Sequence, residues 1–267
     1  DESIHPFCGG VPTDVRITTR YDKNDFMQSL MGVVHETGHA RYEQGLPREL
    51  IHLPAGHARS MGIHESQSLF FEMQIGRSSE FIQLITPIIN KVFNTEKDPA
   101  FTHDNLRKLY TLVKADFIRV DADEITYPAH IILRYEIERD LINKQICYQD
   151  IPEIWDQKMQ SYLGISTQGN YKDGCMQDIH WTDGSFGYFP SYTLGAIYAA
   201  QFMATVNKKM NSKDLIKSGD LSLVFNWLDE NIWKMASILS TDNLAIEATG
   251  EALNTKYFKA HLESRYL

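Results

Sequence analysis

His35 and His39 stand four residues apart with Glu36 beside the first, in the segment His35-Glu36-Thr37-Gly38-His39, and His64-Glu65-Ser66-Gln67-Ser68 follows at a distance. On an α-helix, residues four apart lie about 40° apart around the axis and one turn along it, so both imidazoles can reach a single metal ion. Glu36, about 100° round from His35, is placed to take a proton from a water at the ion without being a ligand itself. A catalytic zinc keeps three protein ligands and one open position, so a third donor has to come from another element, and Glu65 is the candidate. The pattern predicts one zinc ion per chain, with cobalt or manganese able to substitute. A plainer reading exists: Met27, Met31, His35 and His39 form an i+4 ladder flanked by Leu30 and Val34, and the histidines could simply prolong an apolar stripe. Burying two histidines and a glutamate on one inward face is costly without a metal or partners, which favours the metal.

Three further segments carry candidate chemistry. The stretch Asp14-Val15-Arg16-Ile17-Thr18 alternates and precedes the metal helix; as a strand it could pair with an extended peptide, making Asp14 and Arg16 candidate substrate-binding residues, or it could be an ordinary edge strand. Arg119, in Ile118-Arg119-Val120-Asp121-Ala122-Asp123, offers a planar fork suited to a peptide's terminal carboxylate, unless the nearby acids Asp121, Asp123 and Glu124 absorb it in an ion-pair network. His180, Tyr188 and Tyr192 can donate hydrogen bonds to the oxyanion formed when water attacks a peptide carbonyl, although each residue type is more often a packed ring with a satisfied polar tip.

These residues need elements to hold them. A short strand is expected over residues 13–18. The helical period then runs over 25–44, stopped by Gly45 and Pro47. A His-rich loop leads into a second helix containing residues 64–79. Helical patterns recur at 80–93, 104–116, 127–144, 151–163, 191–208, 221–239 and 243–262, and the run 207–214 reads as a solvated helix end and turn. Residues 164–188 lack helical period and are rich in Gly, Asp and aromatics, a composition and length that point to a functional irregular segment.

A chain of 267 residues can bury a substantial core, and 43% hydrophobic with 23% charged residues is ordinary for a globular protein. Its net charge of −9 argues against nucleic acid as a partner. No apolar run reaches the length of a membrane span, and the opening DESIHPFCGG lacks a signal-like region. Cys8, Cys147 and Cys175 are widely spaced and odd in number, which suits reduced thiols in the cytoplasm.

Taken in order, DVRIT, HETGH, HESQ, IRVDAD and GCMQDIHW resemble the M32 family of metallocarboxypeptidases, the thermostable carboxypeptidase Taq type. The resemblance implies a mostly α fold, a helical zincin related to the neurolysin and angiotensin-converting enzyme type, with a short edge strand or small sheet beside the HETGH helix. It implies His35, His39 and Glu65 as zinc ligands and Glu36 as general base. It places Arg119 on the family's arginine motif, and His180, Tyr188 and Tyr192 on its QDxHW segment and the tyrosines that follow. Residues 1–267 are expected to form a single catalytic domain, the C-terminal part of a longer member. The implied activity is broad release of C-terminal amino acids from peptides, usually excluding proline, by a cytosolic homodimer. An oligopeptidase cutting internal bonds and an inactive fragment that dimerises or binds peptides remain the alternatives.

Overall fold

In the computed structural model of the chain, which describes residues 1–3 and 6–267, the first long helix starts where the sequence provides a cap. The Asp25 carboxylate accepts from the backbone N–H groups of Met27 and Gln28, both at 3.1 Å, and α1 runs over Phe26–Gly45. Ahead of it, β1 (Cys8–Val11) and β2 (Asp14–Ile17) form an antiparallel hairpin with Cys8 opposite Ile17 and Val11 opposite Asp14. Both strands lie against α1, so the expected strand is one arm of a two-stranded sheet. Of the opening segment discussed above, Ile4 and His5 lie outside the described residues.

The chain divides into two compact units, Asp1–Tyr110 with Leu194–Leu267, and Thr111–Thr193. In the first, α2 (Met61–Leu69) packs against α1 and passes directly into a π-helical segment, Phe70–Gly76. The close approach of α1 to α2 depends on Gly38. A Cβ there would sit 2.4 Å from the Gln67 carbonyl oxygen and 2.6 Å from Ser68 Cα, both rigid backbone. Helices α3 (Ser79–Phe93) and α4 (His103–Tyr110) enclose a small core with α1 through Met31, Ile82, Ile89, Leu106 and Tyr110. A larger core joins α1 and α2 to α7 (Pro190–Lys209), α8 (Ser212–Ser218), α9 (Ser222–Leu228) and α10 (Thr241–Thr249), with Tyr42, Phe70, Phe202, Leu228 and Trp233 inside. Helix α11 (Lys256–Tyr266) ends the chain. In the second unit, α5 (Tyr127–Ile142) packs on α6 (Ile151–Leu163) around Leu133, Ile137, Trp155, Met159 and Cys175.

Several expected boundaries shift, each for a local reason. The helix expected over 104–116 stops at Tyr110. Beyond it the Lys114 backbone N–H is taken by the Asp123 carboxylate at 2.9 Å and that of Phe117 by Asp116 at 2.8 Å, side-chain acceptors that compete with the helical ladder. The expected 221–239 helix gives way after Leu228 to a π-helical turn, Asp229–Trp233, and the 243–262 helix breaks at Gly250, a left-handed cap with φ of 89°. The run 207–214 is not only a helix end, because Asn211 caps a new helix, α8. Cys8, Cys147 and Cys175 are free thiols. Among the described residues no helix is long and apolar enough to cross a membrane.

Candidate metal centre

The inward face of α1 presents His35 and His39 one turn apart, and α2, held close by Gly38, presents Glu65. Glu65 Oε2 lies 3.8 Å from His35 Nε2 and 3.7 Å from His39 Nε2, and one ligand atom from each residue falls within 4.8 Å of the other two. An ion about 2.0–2.2 Å from each donor spaces tetrahedral donors roughly 3.3–3.6 Å apart, so the two glutamate–histidine separations are near that spacing and the third pair, within 4.8 Å, would close by up to about 1 Å around a divalent ion. Helix α7 closes over Glu65 at Gly195, where a Cβ would meet Glu65 Cβ at 2.5 Å. Glu36 is buried, and its Oε2 has no hydrogen-bond partner among the described residues. Burial foremost, with the Glu65 and Glu72 charges, holds its carboxyl above the usual range against the opposing His35 and His64. A buried carboxylate with a raised proton affinity and an unengaged oxygen is equipped to accept a proton.

Residues outside the three donors orient the rings. His35 Nδ1 lies 2.9 Å from Glu72 Oε2, and Arg77 Nη2 donates to Glu72 Oε1 at 2.7 Å. His39 Nδ1 lies 2.6 Å from His64 Nδ1, and His64 Nε2 lies 2.8 Å from Glu43 Oε1. Ser68 Oγ donates to Glu65 Oε2 at 3.3 Å. Sequence reasoning missed Glu72, Arg77, Glu43 and Ser68, and gave His64 no role. Two signals were available: Glu43 is the next step of the ladder 27, 31, 35, 39, and Glu72 follows Glu65 by two helical turns.

The electrostatics make metal loading depend on pH. Burial favours a neutral His35, but the hydrogen bond and charge of Glu72, with Glu65 and Glu36, outweigh it and push the ring up to about 9. Burial would raise Glu72, but Arg77 and His35 hold it at about 2, so it stays charged. Burial and the neighbouring imidazoles drive His39 the other way, well below the ordinary histidine range. Of the two rings, His35 is therefore the one that must surrender a proton before Nε2 can bind a cation. Below about pH 9 the proton competes, so in chelator-stripped protein zinc affinity should fall about tenfold per pH unit from 9 towards 6, with about one proton released on loading. Zinc titrations across that range in two buffers of different ionisation enthalpy read both quantities. A flat affinity with no proton release would show that the carboxylates do not hold that proton.

Other candidates group by unit. Asp14 and Arg16 pair with each other on the exposed face of β2, Arg16 Nη2 donating to Asp14 Oδ2 at 2.7 Å. In the second unit Arg119 is 5% exposed and engaged on both sides. Its Nη2 donates to Asp178 Oδ1 at 2.7 Å and its Nη1 to the Tyr127 hydroxyl at 2.7 Å. Asp178, 59 residues away, is thus a partner of Arg119 that the neighbouring acids had concealed. Gln177 ties the same two segments together, accepting from the Arg119 N–H at 2.7 Å and donating to the Phe117 carbonyl at 2.9 Å. The Tyr192 ring lies under the guanidinium at 4.7 Å, and its hydroxyl is 3.3 Å from His180 Nε2. Burial foremost keeps His180 below its ordinary pKa, hence a neutral ring at pH 7. Tyr188 stacks against both, at 5.7 Å from His180 and 5.2 Å from Tyr192. Its loop is pinned by the Gly187 N–H donating to Glu138 Oε2 at 2.9 Å, and Arg134 Nε in turn donates to Glu138 Oε1 at 2.9 Å.

Comparison with known proteins bears on the whole length. The family described as carboxypeptidase Taq (M32) metallopeptidase matches residues 1–266. Carboxypeptidase 1 of Bacillus subtilis (strain 168) is 41% identical over 272 residues, covering 100% of this chain and 53% of that protein. Thermostable carboxypeptidase 1 of Thermus thermophilus is 40% identical over 268 residues, covering 100% of this chain and 52% of that protein. Among solved structures, metallocarboxypeptidase 1 of Trypanosoma cruzi shares the fold with a TM-score of 0.96 at 49% identity, over 100% of this chain and 56% of that one. The chain spans about half the length of the curated relatives it matches. Because the match runs through both units and takes in the two histidines, the glutamate and the segments that orient them, the chain belongs to the carboxypeptidase Taq (M32) metallopeptidase family.

Proposed function

We propose that residues 1–267 act as one catalytic domain of a zinc metallocarboxypeptidase that releases C-terminal amino acids from peptides with broad specificity. The observation that carries this reading is the convergence of His35, His39 and Glu65 beside the unengaged Glu36 carboxylate. One zinc ion held by those three donors, with cobalt or manganese able to replace it, would supply Lewis acidity towards water and the scissile carbonyl. Glu36 accepts the proton from the attacking water and delivers it to the leaving amine, a task suited to its raised proton affinity. His180, Tyr188 and Tyr192 are assigned to the developing oxyanion: a neutral imidazole and two phenols are hydrogen-bond donors that bring no added charge. Arg119 is assigned to the terminal carboxylate, with Asp178 and Tyr127 fixing the plane of its fork. Asp14 and Arg16 are assigned to the backbone of an extended substrate along β2.

The reading is tested by the direction of cleavage, in a protein that carries the chain at the family's full length. Single amino acids should appear from the C-terminus, and amidating that terminus should lower kcat/KM about 10- to 100-fold, the worth of a charge-assisted hydrogen bond of about 1.5–3 kcal/mol. Acetylating the N-terminus should do little. Arg119→Ala should bring the free-to-amidated ratio close to one. The ratio is the quantity to read, because the variant also leaves Asp178 buried without its partner and costs about 3–5 kcal/mol of stability, while a ratio does not depend on how much protein is folded. Equal cutting of both peptides with release of internal fragments would instead establish an oligopeptidase. Family resemblance also assigns a cytoplasmic homodimer, and sedimentation equilibrium tests the dimer.

A further inference from the structure

His64 opens the HESQ motif, yet it is neither one of the three donors nor the proton acceptor. Its surroundings fix where its hydrogen sits. A carboxylate oxygen accepts and does not donate, so at 2.8 Å from Glu43 Oε1 the hydrogen belongs to His64 Nε2. In a neutral ring His64 Nδ1 then carries a lone pair. Two imidazole nitrogens 2.6 Å apart share one hydrogen, so the hydrogen between them belongs to His39 Nδ1. A neutral His39 with its hydrogen on Nδ1 has its lone pair on Nε2, the atom 3.7 Å from Glu65 Oε2. The chain of bonds from Glu43 therefore sets which nitrogen of His39 is free.

We propose that His64 and Glu43 are positioning residues that hold His39 in the tautomer and ring orientation which offer Nε2 to a divalent cation. The inference rests on the metal-centre reading above and adds the residues that make one of its ligands competent. The two histidine donors are oriented by different means. His35 meets a carboxylate directly, that of Glu72, which Arg77 neutralises. His39 meets a second imidazole, and the carboxylate is one residue further out, where the Glu43 side chain is 26% exposed. Glu36, Glu65 and Glu72 already place three carboxylates at the centre, and a fourth in contact with His39 would add a buried like charge. An imidazole spacer conveys orientation without that charge. The Tyr42 ring, in a T-shaped contact with its centre 5.3 Å from that of His64, limits its rotation.

The test uses zinc and the chain itself. Zinc affinity measured by competition with a chromophoric chelator should be 10- to 100-fold weaker in His64→Phe, which keeps a ring against Tyr42 but removes the acceptor. Long-range nitrogen–proton NMR of the unaltered zinc-loaded chain should find His64 hydrogen-bearing at Nε2 and bare at Nδ1, a readout that does not require any variant to fold. A hydrogen on His64 Nδ1, or unchanged zinc affinity in folded His64→Phe, overturns the relay and leaves the metal centre standing. Failure of the unaltered chain to bind zinc overturns both.

Discussion

Glu36→Gln is expected to leave one zinc ion bound per chain while lowering kcat/KM by roughly 10²–10⁴-fold, the range associated with a positioned general base. The amide matches the carboxylate in size and cannot take a proton from water. Nothing in the proposed donor set is touched, because its three atoms belong to His35, His39 and Glu65. The exchange should not harm the fold either. Among the described residues Glu36 Oε2 makes no hydrogen bond that an amide would forfeit, and the carboxyl is already disfavoured as an anion by burial and by Glu65 and Glu72. Thermal unfolding of the variant should accordingly occur at the same temperature or higher. Metal content by mass spectrometry belongs on this chain, and turnover belongs in a protein carrying it at full family length. Joint loss of zinc and turnover would make Glu36 a ligand or a structural group, and turnover within a few-fold of the parent would remove it from proton transfer.

The candidate donor cluster was legible because its two histidines depend on a period. His35 and His39 share a face of any α-helix, and Asp25 at one end with Gly45 and Pro47 at the other mark α1 within a residue of its observed bounds. The same reasoning fails where the backbone leaves that period. Two π-helical segments, Phe70–Gly76 and Asp229–Trp233, replace continuous helix, and the first carries Glu72 to His35. Strand β1 escaped notice because Cys8-Gly9-Gly10-Val11 has almost no side-chain alternation; it is a strand because β2 pairs with it. Tertiary partners were legible only when near in sequence. The acids adjoining Arg119 drew attention from Asp178, and no local pattern connects two residues 59 apart when the second lies in a segment without helical period. Glu43 is the instructive case, for it continues the histidine ladder in plain view, and a stripe followed one step further would have included it.

Removing a ligand should have a larger effect on zinc than any change around it. If roughly 10–16 kcal/mol of apparent binding energy, as in tetrahedral zinc sites, is divided among four positions, each contributes about 2.5–4 kcal/mol, equivalent to a loss of about 10²–10³-fold for His39→Ala or Glu65→Ala. The neighbours His64 and Glu72 act through a histidine and should cost about 10- to 100-fold. That ordering separates a metal centre from a buried polar core with the same residues. In a polar core the penalty tracks the hydrogen bonds lost by buried groups, so Glu72→Ala, which removes the partner of His35 Nδ1 and the carboxylate that accepts from Arg77 Nε and Nη2, would be the most damaging change and would act on stability without regard to metal. In a metal centre, His39→Ala and Glu65→Ala remove most of the rise in unfolding temperature that saturating zinc confers, because that rise is binding to the folded state alone. Measuring the unfolding temperature of each variant with zinc and with excess chelator reads the two quantities separately. A His35→Ala, His39→Ala double variant that keeps its zinc in stoichiometric amount, with the zinc-dependent stabilisation intact, would show that the ion lies elsewhere and that the histidine face of α1 is core.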